Sequence, residues 1–443
     1  MPEDSREAGL CLAWICYDDT QSVGDYTGRR RTTSMSREPG QSPRRRSLLG
    51  GLGALAVTGL AGCVQLPSAG DGDGGDGGDA GATDVTDGLP GSTASGAVVG
   101  EPPDEELPVG PAALTRGAPK DGIPAIVNPS FGADWSGFEA ETRSRFGSGN
   151  TIAPRLADDD LVVGVARDGE ARAYPLKLLN YHEIVNDTFD GPLLVTYCPL
   201  CRSAIVAKRR AGGEPTVFGV SGLLYRNALV MYDEATGSNW SQILAQAITG
   251  ELTGERLELL PSTLATFGEW RASHPDTTVL RPPPESDTLG AGTGVRDYAT
   301  DPYPGYDQSD QIGIGGEFDD DRLGPKTKVV GVAVAETARA YTAEAIETEG
   351  PIKDTVGGLP IVVTNTPNGT PIAWSRRVGD ETLSLGIADE RHLAGGGSRW
   401  RRDTGVAVDG PFEGERLAQA NSVSALFWFA WLDFYPETEL YAP

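Results

Sequence analysis

The chain is written twice, and that constrains its fold more than any other feature. Residues 161–174 read LVVGVARDGEARAY, and residues 328–341 read KVVGVAVAETARAY. VTYCPLCRSAIVAKRR is echoed by VTNTPNGTPIAWSRR, GSNWSQ by GSRWRR, and GERLELLPSTLATFGEWRASHPDT by GERLAQANSVSALFWFAWLDFYPET. Blocks matched in the same order identify a tandem duplication over 155–281 and 325–443, joined by a Pro/Gly/Asp-rich connection.

Each copy opens with alternating or β-branched runs, LVVGVARDG, ARAYPL, LLVTYC and SAIVAK in the first, broken by DG or GG turns. That is the pattern of paired strands. PTVFGV and ALVMYDEATG extend the series. Helical spacing occurs in PLKLLNYHEIVND and in PSTLATFGEWRASHP, the latter with Ser262 as the expected N-cap. The expected fold is α+β and strand-dominated: two similar tandem halves of antiparallel sheet with a few short helices, packed as a pseudo-twofold pair. The expected division is 113–281 for the first half, 282–324 for the connecting segment and 325–443 for a degenerate second half.

A duplicate separates scaffold from site. Trp240 pairs with Trp400 and Trp270 with Trp431, so these read as core. His274 stands opposite Tyr435 and reads as a helix-end cap; His392 lies in a glycine-rich loop. His182, Cys198 and Cys201 behave differently. Thr366 and Gly369 stand opposite the two cysteines, and EAIETEGPIKD, opposite the histidine, contains none. The shared architecture therefore does not need these three residues.

Processing signals narrow the cysteine count. Residues 35–62 carry Arg44-Arg45-Arg46, an apolar run from Leu48 to Gly62 and the sequence LAGC, which read as a twin-arginine lipoprotein signal. Fifteen residues of helix rise about 22 Å, short of the ~30 Å core of a bilayer. Cleavage before Cys63 would place lipid on its sulfur and anchor the protein to the outer face of the cell membrane. Residues 1–34 are then expected to be a gene-model extension, and 63–112 a Gly/Asp-rich disordered tether. Cys11 and Cys16 precede the signal, so the mature domain keeps only Cys198 and Cys201.

As a staple that pair is poor. Loop entropy for so small a ring is about 2 kcal/mol, against about 4.7 for a 100-residue loop. As soft-metal ligands the spacing is good, and with His182 the set suits Cu(I) ahead of Zn(II). The alternative is a thiol–disulfide oxidoreductase, although RSAIVAK after Cys201 reads as strand, unlike the helix of a thioredoxin-type site. A third reading is a non-catalytic binding or scaffold module. Ser221, Tyr225, Arg226, Asn227 and Gln242 are extra polar groups of the same half and candidate pocket residues. Ser221 lies in VSGLL, which is not a nucleophile elbow.

Charge excludes one class of partner. With 37 basic against 63 acidic residues and a net charge of −26, no basic stripe is available to neutralise nucleic-acid phosphates. The acid-heavy, lysine-poor balance looks like that of a protein from a high-salt organism. The expected partners are therefore the membrane and an unidentified metal or redox partner protein.

NYHEIVND, VTYCPLCRSAIV, FGVSGLLYRNALVMYDEATGSNWSQ and LELLPSTLATFGEWRASHPDT together resemble the domain of unknown function 3179 family, common among exported proteins of halophilic archaea and some bacteria. The resemblance covers about residues 115–443. It implies a family and no activity.

Overall fold

Val162, Val163 and Val165 put β-branched side chains along Leu161–Arg167, which pairs antiparallel with Glu170–Pro175 around a tight turn. The computed structural model describes residues 97–102, 105–142, 149–167, 169–290 and 294–442. The export signal, Cys63 and most of the expected tether lie outside the described residues. Upstream of residue 113 the chain is already packed: the Val99 amide donates to Gln419 O, and that of Val109 to Ile248 O.

Six main sheets form. One runs Thr263–Thr266, Leu161–Arg167, Glu170–Pro175, Thr278–Leu280 and Phe131–Gly132. The second joins Ser203–Lys208, Pro192–Cys198 and Ile184–Thr188 to two edge strands. The third is built on Phe218–Tyr225, Ala228–Asp233, Asn239–Ser241 and Gln246–Thr249. In the second copy Leu426–Phe427, Lys328–Val334, Thr337–Thr342 and Glu439–Leu440 form a sheet in the order of the first. Ile352–Val356, Leu359–Asn365 and Pro371–Ser375 make the fifth, and Gly386–Ile387, His392–Gly395 and Ser398–Arg401 the sixth.

These sheets are the blades of a six-bladed β-propeller. The expected pair of α+β halves related by a pseudo-twofold is therefore wrong, although strand dominance holds. The core shows the physical reason. One hydrophobic cluster takes Cys198, Tyr225 and Trp240 from the first copy together with Val329, Trp428 and Phe429 from the second. Each copy also has a cluster of its own, but this shared cluster joins them into one body.

Two helix expectations also need correction. The segment read as one helix to Asp187 is helical only over α1 (Leu176–His182), and Ile184–Thr188 is strand. Thr263–Thr266, expected to begin a helix capped by Ser262, pairs with Leu161–Gly164 instead. The helix α2 (Phe267–Ser273) starts four residues later, capped by the Thr266 hydroxyl.

Residues kept in both copies fix the blades. A Cβ at Gly164 would stand 2.4 Å from the Trp270 ring, and one at Gly331 2.3 Å from Trp431. Both indoles donate 2.9 Å hydrogen bonds to threonine hydroxyls, Thr277 and Thr438. His274 and Tyr435 lie on those indoles at centroid distances of 4.0 and 3.8 Å, each as the residue that closes its helix. Here α4 spans Trp428–Phe434, and the remaining helix, α3, spans Ala343–Glu349. Asp187 accepts from Arg172 and Tyr174, both at 2.6 Å, as Asp354 does from Arg339 and Tyr341. A largely buried carboxylate so paired offsets much of its desolvation.

Candidate functional site

Strand Pro192–Cys198 delivers Cys198 to the mouth of a turn, and strand Ser203–Lys208 leaves it, with Ser203 directly opposite Cys198. Arg202 turns the chain with φ +57°. The turn is braced from three sides. Tyr306 donates its hydroxyl to Leu200 O at 2.9 Å, and the Phe427 amide donates to Cys201 O at 3.0 Å. Gln242, fully buried, donates to Thr196 Oγ1 and Ser203 O and accepts from the Ser203 hydroxyl.

Both cysteines are free thiols, 1% and 0% exposed. Cys201 Sγ lies 3.4 Å from Asn227 O and within hydrogen-bonding reach of Cys198. Burial pushes the Cys198 thiol up. The Cys201 thiol and the backbone at Cys201, Leu229 and Leu200 hydrogen-bond its sulfur and outweigh burial, leaving Cys198 below the usual thiol range. Burial, together with its neighbour Cys198, holds Cys201 well above that range. The two thiols are thus shifted in opposite directions, Cys198 down and Cys201 up.

His182 does not join them as a ligand. Its ring, fully buried, places Nδ1 2.7 Å from Pro124 O and Nε2 2.9 Å from the Tyr298 hydroxyl. Burial pushes its pKa down to about 3, so the ring is neutral, with Nδ1–H donating to Pro124 O and Nε2 accepting. Both nitrogens are committed within the protein. Among the described residues no group of three or more His, Cys, Asp or Glu side chains is placed to hold a metal ion. Zn(II) with three protein ligands does not fit these positions.

The residue next to His182 turns the other way. Glu183 ends α1 with φ +56° and ψ −30°, its amide donating to Leu179 O at 2.8 Å. Its carboxyl lines a cavity of about 540 Å³ and is held well above the usual carboxylate range by burial, then by the charge of Cys198. Leu200 and Leu229, whose backbones face Cys198, also line that cavity, as does Tyr303. Tyr303 feels both Glu183 and Cys198.

The five expected pocket residues serve differently. Ser221 bonds Val230 O inside a β-bulge, and Tyr225 packs its edge against Phe434 at 5.9 Å. Arg226 pairs with Glu105 at 2.9 Å; Asn227 donates to Asp433 and lends its carbonyl to Cys201. Gln242 braces the cysteine turn. None of the five is on the cavity wall. The segment expected merely to connect the copies contributes Tyr298, Tyr303 and Tyr306 instead.

Sequence reasoning missed Glu183, yet the duplicate held a signal. Glu183 follows α1 as Gly350 follows α3, and Gly350 also has positive φ, +79°. Glycine is the ordinary residue for such a conformation. A glutamate there bears strain that the second copy avoids.

The sequence model of a family described as "Protein of unknown function (DUF3179)" matches residues 120–438. No curated protein and no solved structure matches the chain.

Proposed function

The chain belongs to the DUF3179 family, and on that premise we propose that it is an exported, lipid-anchored protein of the halophilic type whose working centre is the dithiol–disulfide pair Cys198 and Cys201. Export and anchoring at Cys63 rest on the arginine-led signal and the LAGC sequence, and the halophilic reading on the net charge of −26. Among the described residues no helix is long and apolar enough to cross a membrane.

The observation that carries the redox reading is the asymmetric hydrogen bonding of the two sulfurs. Hydrogen bonding at the Cys198 sulfur lowers its thiol from the usual range, which favours Cys198 as the attacking group, while the Cys201 thiol donates to Asn227 O. Cys201 lies three residues on in the same turn, within hydrogen-bonding reach of Cys198. Oxidation converts two thiols to one disulfide. The two electrons and two protons go to an external disulfide RSSR, which becomes two RSH.

Equilibration of the full chain in glutathione buffers between roughly −300 and −120 mV, with trapping and counting of thiols, tests this. Reversible loss of two thiols in the native protein, and none in Cys198→Ser, is the expected result. Thiols that stay free throughout, or uptake of Cu(I) without any disulfide, overturn it.

A further inference from the structure

The wall of the cavity beside the thiols includes Glu183, a polar residue whose side chain the fold does not use. Lys120 lies over the Tyr232 ring at 3.5 Å, and Asp121 accepts the Tyr232 hydroxyl at 2.9 Å, so these two wall residues are committed. Glu183 is not. Among the described residues its carboxyl makes no hydrogen bond, although the residue is only 7% exposed. A buried carboxyl without a partner costs stability, and so does a positive φ on a side-chain-bearing residue. Gly350 avoids both in the second copy. Nothing in the fold requires the glutamate, and it lines a cavity whose wall also includes Leu200 and Leu229, the residues whose backbones face Cys198.

Resting on the dithiol reading, we propose that this cavity seats a small, neutral, largely apolar organic disulfide, and that the Glu183 carboxyl hydrogen-bonds it and exchanges protons with its sulfurs. The volume of about 540 Å³ suits a molecule of modest size. Val220, Leu223, Leu224 and Ile314 make most of its surface aliphatic, which disfavours a multiply charged peptide disulfide. Leu200 and Leu229 belong to the wall, whereas the two sulfurs are almost fully covered and off it, so the wall must shift for contact.

The chemistry balances. The Cys198 thiolate attacks one sulfur of the bound disulfide RSSR′, forming a Cys198–SR bond and breaking S–S. The departing R′S⁻ takes the proton of the Glu183 carboxylic acid and leaves as R′SH. The Cys201 thiol returns a proton to the Glu183 carboxylate and attacks Cys198 Sγ, releasing RS⁻. The protein loses two electrons as its disulfide forms, the cleaved RSSR′ gains them as R′SH and RS⁻, and the carboxyl ends as it began.

Single-turnover oxidation of the reduced full chain by diethyl disulfide and by glutathione disulfide tests this. The expected result is at least a tenfold preference for diethyl disulfide, with Glu183→Gln slowing that reaction by roughly 10²-fold. Glu183→Gly, which relieves the backbone, should be equally slow while remaining folded. In both variants the same two thiols should still oxidise at equilibrium in glutathione buffer. If they do, but diethyl disulfide shows no preference or the variants react at the native rate, this inference fails and the dithiol reading survives. If no Cys198–Cys201 disulfide forms under any condition, the dithiol reading itself has failed.

Discussion

Glu183 and Gly350 occupy the same place in the two copies, each closing a seven-residue helix with a positive φ. The two residues differ in everything else: one presents a buried carboxyl to a cavity, the other nothing. A feature kept against its own strain in one copy and dispensed with in the other marks the half that carries chemistry.

Stability and reactivity should therefore diverge at this position. Glu183→Gly is expected to raise the unfolding free energy by about 1 kcal/mol or more, read as a higher urea midpoint, since it relieves the backbone and removes an unpartnered buried carboxyl. The same variant should react more slowly with small disulfides. Equilibrium denaturation beside stopped-flow thiol kinetics checks both halves; a destabilised variant would show that the carboxyl has a partner within the fold.

The wall between cavity and thiols should govern access. Leu200 lines the cavity and sits between the two cysteines, whose sulfurs are almost fully covered. Leu200→Ala is expected to speed alkylation of Cys198 by iodoacetamide at neutral pH by roughly tenfold, at a stability cost of about 2–3 kcal/mol. Peptide mapping after a timed pulse reads the rate and should find Cys198 labelled before Cys201, because the thiolate favours Cys198.

Acid should act through His182. The ring stays neutral in the folded protein down to about pH 3, whereas an unfolded histidine takes a proton near its ordinary value of 6.5. Between those values the unfolded state binds the extra proton, so stability falls as pH falls, by up to about 1.4 kcal/mol per unit. His182→Asn should be less stable at pH 7 and show a shallower slope between pH 6 and 4. Denaturation at a series of pH values measures that slope; an unchanged one would mean other groups set it.

The glycines beneath the repeated tryptophans should tolerate no side chain. Gly164→Ala and Gly331→Ala each force a Cβ against an indole wedged by its own hydrogen bond. Losses of about 1–3 kcal/mol or more are expected from overpacking, and similar losses in both copies would show that the two positions are equivalent. Thermal unfolding of the two single variants provides the comparison.

Much of this was legible before any coordinates. Paired strands were visible in LVVGVARDG and SAIVAK because a pleated strand needs only a two-residue period and a turn. Glu183 was hidden because the helical spacing of PLKLLNYHEIVND runs on past the point where the helix stops. Tyr303 and Tyr306 were hidden in a segment without periodicity, whose aromatic residues reach the site only by crossing the fold.

By itself the sequence determined that the architecture is repeated, that it is made of strands, and that the cysteine pair belongs to one copy alone. These are matters of composition and short-range pattern, readable wherever two copies can be compared. Only the tertiary structure decided that six sheets form the blades of one propeller, with one hydrophobic cluster shared between the copies. It also decided that His182 turns into the protein while Glu183 turns to the cavity. Successive residues of a helix point about 100° apart, and the positive φ at the end of α1 turns the chain between these two neighbours, an angle that long-range packing sets.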